Sequence, residues 1–586
     1  MPVPSYLSLI RPYIARYRGY FIWGLVVIAA TNALGLVTPL ILRSAINRIE
    51  EGTTTGRLMV DAALIVGLAL CAGLFHYYMR RTVIWASRKI EFDLRGDLFA
   101  HILTLDGPFF DRMPTGDIIT RASSDIEQVR QLVGPGIMQG VNTLIMAGVA
   151  IPLMIVLDWR LAVYVLVPLP FLAYFTHVLG QVAHRRFLAI QERFSELSAA
   201  VQETLAGIRV IKTHVREAEK RDEFSKDNWD YFRLNMHLIR LWGGFYPLLS
   251  ALSSSAVLLV LYFGGRRVIA GEIDLGTFIA FTVYLSMLIW PMIALGWVVS
   301  LYQRGTASLK RLAEIFDTKP AVSIPPSHTV RSLPEIGDLE MRHLTFSYNG
   351  NGNGQQALKD ISFVIRPGET VAIAGPTGCG KSTIAHLLWR RYAVPEGTML
   401  WGGIDAGQTT LEDWRRRIVV VPQEPFLFSD TLRANIGLAV DTLEEDRLQE
   451  VGELAALNKD VAEFPRAYDT VVGERGITLS GGQKQRATLA RALVAPASVL
   501  ILDDAFSAVD AQTEEEILSR LDAIFGTRTI VLITHRISTL RRADRILFLE
   551  EGRLTDAGTH DDLMERGGPY ARWATREALK EKLETL

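Results

Sequence analysis

Hydrophobic positions along the chain fall into two regimes. In the first half, uncharged stretches run over 20–42, 62–79, 131–157, 161–184, 241–265 and 275–303. The first has 23 residues. As a helix it would be about 34 Å long against a hydrocarbon core of about 30 Å, so it can cross a bilayer. The second, with 18 residues and His76 inside it, lies at the lower limit for a span. Between the spans, RKIEFDLRGDLFAHILTL and FSELSAAVQETLAGIRVIKTHV place apolar residues at helical spacing. This predicts helices that continue well beyond the bilayer as two arms. One arm turns around Pro114 and Gly116, which break a helix, and the other near residues 207–217.

The pattern changes after residue 303. RGTASLKRLAEIFDTKP closes a long helix, and AVSIPPSHTVRSLPEIGD, with three prolines, cannot continue it. Beyond that point short apolar runs (AIAG, VVVP, VLILDD, IVLITH) alternate with helical patterns, the signature of a parallel α/β sheet. The expected architecture is an α-helical six-span transmembrane domain at 1–318, a linker at 319–338 and an α/β P-loop domain at 339–586.

Charge placement orients the membrane half. The N-terminal segment, residues 80–130 and residues 185–240 carry 3, 8 and 11 Lys and Arg, against 3, 1 and 2 in the three short connections. The positive-inside tendency then puts the N-terminus, both arms and the soluble half in the cytoplasm. Composition fits membrane and soluble parts in one chain of 586 residues, with 49% hydrophobic and 21% charged residues. A net charge of -1 gives no global reason to expect nucleic acid. The two cysteines, Cys71 and Cys379, cannot form a disulfide framework and suit a reducing cytosol. The N-terminal segment has no short apolar core followed by a small-residue site, so no cleavable signal peptide is expected.

The chemistry concentrates in the second half. GPTGCGKST follows the apolar run TVAIA, with Gly375, Gly380, Lys381 and Ser382 at P-loop spacing. In such a loop (Gly375, Pro376, Thr377, Gly378, Cys379, Gly380, Lys381, Ser382, Thr383) backbone N–H groups curl around phosphates. The lysine supplies charge to the β- and γ-phosphates, and the serine hydroxyl faces Mg²⁺. VLILDD delivers Asp503 toward the metal and Asp504 toward an attacking water. LSGGQKQR places Ser480, Gly481, Gly482 and Gln483 ahead of a helix, a second anion site made of backbone N–H groups and the helix dipole. One chain does not need two phosphate sites for one nucleotide. The economical arrangement is two such domains head to tail, each signature closing over the other's P-loop.

These residues resemble the ATP-binding cassette family, and the six-span half resembles its exporter branch. The resemblance implies ATP and Mg²⁺ as ligands and a second half-transporter as partner. It also implies an integral, multi-pass place in the cell's inner membrane among lipids, and small amphipathic molecules, lipids or peptides as cargo. It makes Tyr348 the aromatic that stacks on adenine, Gln423 the residue that contacts Mg²⁺ and water and reports to the arms, and His535 the switch histidine on the γ-phosphate. It also assigns residues 507–510 to the D-loop and VGERG, residues 472–476, to the loop that touches the arms. The metal set is then Ser382, Gln423 and Asp503, and the catalytic set Asp504, His535 and Gln423. One position departs from the pattern: where the family has Asp then Glu, this chain has Asp503 then Asp504. The shorter side chain falls roughly an ångström short of the water. The reading this favours is the degenerate-site subunit of a heterodimeric exporter, with the catalytic glutamate on the partner. The alternative is a homodimeric exporter or lipid flippase in which Asp504 is competent.

Aromatics such as Trp242, Tyr246, Trp290 and Trp297 either line a cavity or anchor helices at the interface. The polar residues Asn32, Gln139, Asn142, His177 and Gln303 within spans, with the adjacent Arg304, either line a pathway or tie helices together. Cys379 in the phosphate loop suggests sensitivity to thiol reagents that ATP suppresses.

Overall fold

The computed structural model describes residues 5–322, 330–348, 356–473, 479–522 and 526–584. The chain divides into two compact units. One comprises Met1–Leu103 and Thr115–Thr318; the other comprises Thr104–Pro114 and Lys319–Leu586.

The first unit is built of long helices, among them Arg18–Glu50, Thr55–Thr104, Pro168–Ala206, Glu217–Leu259 and Leu275–Phe316. Among the described residues, four helices are long and apolar enough to cross a membrane: Arg18–Glu50, Thr55–Thr104, Thr115–Leu157 and Leu275–Phe316. The short second stretch is thus part of a 50-residue helix. In its most apolar window the mean hydropathy is 2.3 and only 6% of the residues are buried. So much uncovered apolar surface is stable only against lipid. The fourth and fifth stretches fall on Pro168–Ala206 and Glu217–Leu259 and the short helices beside them, which include side chains outside the described residues, those of His177 and Tyr246 among them.

The arms are helical. Along Thr55–Thr104 the buried positions Val83, Ala86, Ser87, Ile90, Leu94, Leu98 and Ile102 form one stripe three and four residues apart. Higher up, Leu36, Met154, Leu161, Phe281, Tyr284 and Leu288 make a packed cluster. The buried Tyr284 hydroxyl donates to the Leu36 carbonyl at 2.7 Å, close to the helical Pro39. Asn32 donates to Asn142 at 2.9 Å and to its own helix at Ile28, so this pair ties two helices. The first arm breaks at Leu105 and Asp106, earlier than Pro114 alone suggests, because Pro108 starts the separate short helix Gly107–Arg112. The second arm turns at Gly207, followed by Ile208–Thr213.

In the second unit the strands are β1 (Leu339–Phe346), β2 (Leu358–Ile365), β3 (Thr370–Ala374), β4 (Met399–Trp401), β5 (Ile404–Asp405), β6 (Ile418–Val421), β7 (Val499–Asp503), β8 (Thr529–Ile533), β9 (Arg545–Glu550) and β10 (Arg553–Gly558). They form a four-stranded antiparallel sheet, β2-β1-β4-β5, and a six-stranded sheet, β10-β9-β3-β8-β7-β6. In the larger sheet every pairing is parallel except β9 with β10. All five residues of β3, β7 and β8 are buried, because core clusters cover both faces of this sheet. The continuous apolar runs of the sequence have this cause. The protein therefore joins a helical unit with spans apolar enough for a membrane to an α/β unit built on a mostly parallel sheet.

Candidate functional site

The C-terminal ends of β3, β7 and β8 lie side by side, where loops of a parallel sheet collect ligands. From β3 the chain passes through Gly375, Pro376, Thr377, Gly378, Cys379 and Gly380 into the helix Lys381–Leu388. Gly380, the residue before this helix, has φ +106, a conformation side chains disfavour, and it turns the chain from the loop into a helix whose first N–H groups have no acceptor within the helix. The Lys381 ammonium donates to the carbonyls of Gly375 and Pro376 at 2.8 and 2.9 Å. It is held inside the curl where a phosphate's negative charge would meet it.

Cys379 is buried, and desolvation pushes its thiol above the ordinary range. The thiol sensitivity suggested by the sequence is therefore weak in this structure. In a Cys71→Ser background, N-ethylmaleimide should label Cys379 at least about tenfold more slowly at neutral pH than an exposed thiol, with the rate rising as pH climbs through the raised pKa. Fast neutral-pH labelling would contradict this burial.

At the start of the same helix, the Ser382 hydroxyl donates to the Asp503 carboxylate at 3.0 Å. Burial raises the Asp503 pKa, and the Ser382 bond pulls it back. A hydroxyl beside a mostly desolvated carboxylate fits a hard cation such as Mg²⁺, which takes one or two protein oxygens and completes its shell with phosphate and water. Among the described residues there is no cluster of three or more His, Cys, Asp or Glu that could hold a metal alone. The fit thus depends on a nucleotide's own oxygens.

Asp504 follows directly after β7. Its backbone is in the left-handed region, φ +48, a strained conformation for a side-chain-bearing residue that is characteristic of functional sites. Its amide donates to Ile533 at the end of β8. Its carboxylate accepts from Gln423 Nε2 at 3.4 Å and lies 3.4 Å from His535 Nδ1. Three side chains from three separate loops therefore converge on one point, at separations that are long for hydrogen bonds and able to tighten on ligand binding. The bond to Asp504 raises the His535 pKa, against an opposing desolvation effect. The imidazolium should accordingly persist above its usual range and be lost as pH rises through the raised pKa. Asp504→Asn should move the His535 titration to lower pH in a histidine-ring NMR experiment. An unmoved titration would disprove the coupling.

On the far side of the loop, the Tyr348 hydroxyl pairs with Thr383 Oγ1 at 2.7 Å. The residue is 48% exposed, which leaves room for a flat base against its ring. Ser480 caps the helix Gly481–Val494 reciprocally with Gln483. Gly481 and Gly482 lie against Ala508. Thus the structure gathers the P-loop, Tyr348, Gln423, Asp503, Asp504 and His535 on one side, and sets the signature residues against the 507–510 loop. Sequence reasoning missed Gln485, which is buried, donates to Ser507 at 2.8 Å and accepts from the Ala508 amide at 2.9 Å. Its place two residues after Gln483 on a helix was the available signal. Glu474, Arg475 and Gly476 of VGERG lie outside the described residues.

Comparison with known proteins identifies the family of both halves of the chain. Residues 21–292 match the ABC transporter transmembrane region and residues 358–507 the ABC transporter family. The chain is 35% identical to the multidrug resistance-like ATP-binding protein MdlA of Escherichia coli, over 92% of this chain and 90% of that one. It is 34% identical to the probable multidrug resistance ABC transporter ATP-binding/permease protein YheI of Bacillus subtilis, over 95% and 94%. With an ATP-dependent lipid A-core flippase of Syntrophus aciditrophicus it shares 30% identity over 96% and 92%. A solved structure of a bacterial Atm1-family ABC exporter with ATP bound superposes with a TM-score of 0.75 at 25% identity, covering 97% of this chain and 99% of that one.

Proposed function

The chain belongs to the ABC transporter family, as an exporter half whose ATP-hydrolysing domain is cytoplasmic, and from that premise we propose that it drives amphipathic molecules or lipids across the membrane as a dimer, with Asp504 as a working catalytic residue. The observation that carries the Asp504 assignment is the convergence of Gln423 and His535 on its carboxylate. The multidrug-type and flippase names of the relatives support the cargo class.

In this reading Lys381 and the loop N–H groups hold the β- and γ-phosphates, and Tyr348 takes the adenine. Ser382 and Asp503, with Gln423 beside them, would hold Mg²⁺, which would supply positive charge to the phosphates when bound. Asp504 orients and accepts a proton from the attacking water, and His535 steadies the γ-phosphate with a charge that Asp504 maintains. The capped helix at Ser480, Gly481, Gly482 and Gln483 presents its N-terminus outward, suited to the γ-phosphate held by a second copy. ATP therefore clamps two domains together, and hydrolysis releases them. The clamp biases the spans between two states of access.

A second reading rests on one residue. An Asp at 504 is a methylene shorter than Glu, which favours a heterodimer whose faster site lies on a different half. Purified alone and reconstituted, this chain should hydrolyse ATP and move a fluorescent lipid or an amphipathic dye in an ATP-dependent way. Turnover that appears only after a second, Glu-bearing half is added would replace the homodimer with the heterodimer.

A further inference from the structure

The turn of the first arm is seated on the nucleotide-binding unit at a point next to the adenine platform. Residues Thr104–Pro114 group with that unit. Within this turn, Asp111 accepts from Arg391 at 2.7 Å through one oxygen and from the Tyr392 hydroxyl at 2.5 Å through the other. Asp106 accepts from the Val322 amide at 2.7 Å. Gly107 packs so closely that an added Cβ would lie 2.6 Å from Arg391 Cγ and 3.0 Å from its carbonyl oxygen.

The seat itself is braced by several contacts. Arg390 is buried with φ +57, and its guanidinium lies 5.9 Å from the centre of the Trp414 ring. Trp414 donates to the Leu388 carbonyl at 2.8 Å, and Arg415 to the Arg390 carbonyl at 3.1 Å. A strained residue held from several sides fixes the directions in which Arg391 and Tyr392 point.

Tyr392 faces two ways. It is buried, and its ring meets Tyr348 edge-on at 5.3 Å and 85°, with the Phe346 ring centre 5.6 Å away. Its hydroxyl serves Asp111. Burial and Asp111 push its pKa to about 12, so it remains a donor. A base stacked on Tyr348 is thus one ring away from the bond that holds the arm turn.

We propose that Tyr392 is a positioning residue that transmits occupancy of the adenine platform to the arm turn through Asp111, so that the base, and not the triphosphate alone, sets the turn. This rests on the reading of Tyr348 and of the P-loop under Proposed function. Tyr392→Phe keeps the ring and removes the donor; Asp111→Asn, at an exposed position, keeps the shape and removes the charge.

The test places an environment-sensitive fluorophore on Met113→Cys in a Cys71→Ser background of the full-length, reconstituted protein, and records its response to MgATP and to magnesium tripolyphosphate. MgATP affinity is measured in parallel. ATP should shift the emission of the parent protein and tripolyphosphate should shift it less. In both Tyr392→Phe and Asp111→Asn the ATP response should fall at least about fivefold while affinity stays within about twofold, the size of an ordinary coupling energy. The double variant should lose no more than either single one. An undiminished ATP response in Tyr392→Phe and in Asp111→Asn, with affinity intact, overturns the proposal. Failure of the parent protein to bind MgATP overturns the underlying nucleotide-site reading as well, and the parallel affinity measurement separates the two failures.

Discussion

Lys381→Ala should reduce ATP hydrolysis by roughly 10²–10³-fold, the usual cost of removing one preorganised donor from a site of developing charge. Lys381 sits inside the loop on the carbonyls of Gly375 and Pro376, so its removal takes charge from the curl without unseating the helix. The fold should persist, since the side chain supports no core cluster. Phosphate release from the purified variant, alongside its circular dichroism, makes the measurement. A variant that folds and still turns over within tenfold of the parent would mean that the phosphates bind elsewhere.

Asp504→Asn is the second large effect. If Asp504 acts on the water, its loss should cost about 10²–10⁴-fold in turnover, the range for a positioned general base, with ATP binding retained. The amide can still accept from Gln423 but no longer carries the charge that holds His535 as a cation. Asp504→Glu extends the carboxylate by one methylene and separates the two readings. In a homodimer limited by the short side chain it raises turnover by about tenfold or more. In a heterodimer whose other half carries the working site, neither substitution changes the rate of the pair by more than about twofold. Single-turnover measurements on the chain alone and on the pair distinguish these cases.

Much of the architecture was legible in the chain because it follows from solvent. Uncharged runs such as 20–42 and 275–303 have no low-energy place in water, and they fall on helices long and apolar enough for a membrane. The fully apolar runs of β3, β7 and β8 can be covered only in a sheet buried on both faces. Motif residues were equally readable where chemistry dictates spacing. Gly380, Lys381 and Ser382 must be consecutive for one loop to supply backbone, charge and hydroxyl to the same phosphates. Gln485 escaped notice because its role is to hold Ser507 and Ala508, a contact with no fixed spacing in sequence.

The sequence by itself determined that this protein has a membrane half and an ATP-hydrolysing half, since hydrophobic length and phosphate-loop spacing are local properties with one physical solution each. Only the tertiary structure decided that Asp504 meets Gln423 and His535 across loops 81 residues apart in the first case. It alone seated the first arm's turn, through Asp111, on Arg391 and Tyr392 some 280 positions away. Contacts of that range depend on how sheets and helices stack, and no periodicity in the chain encodes them.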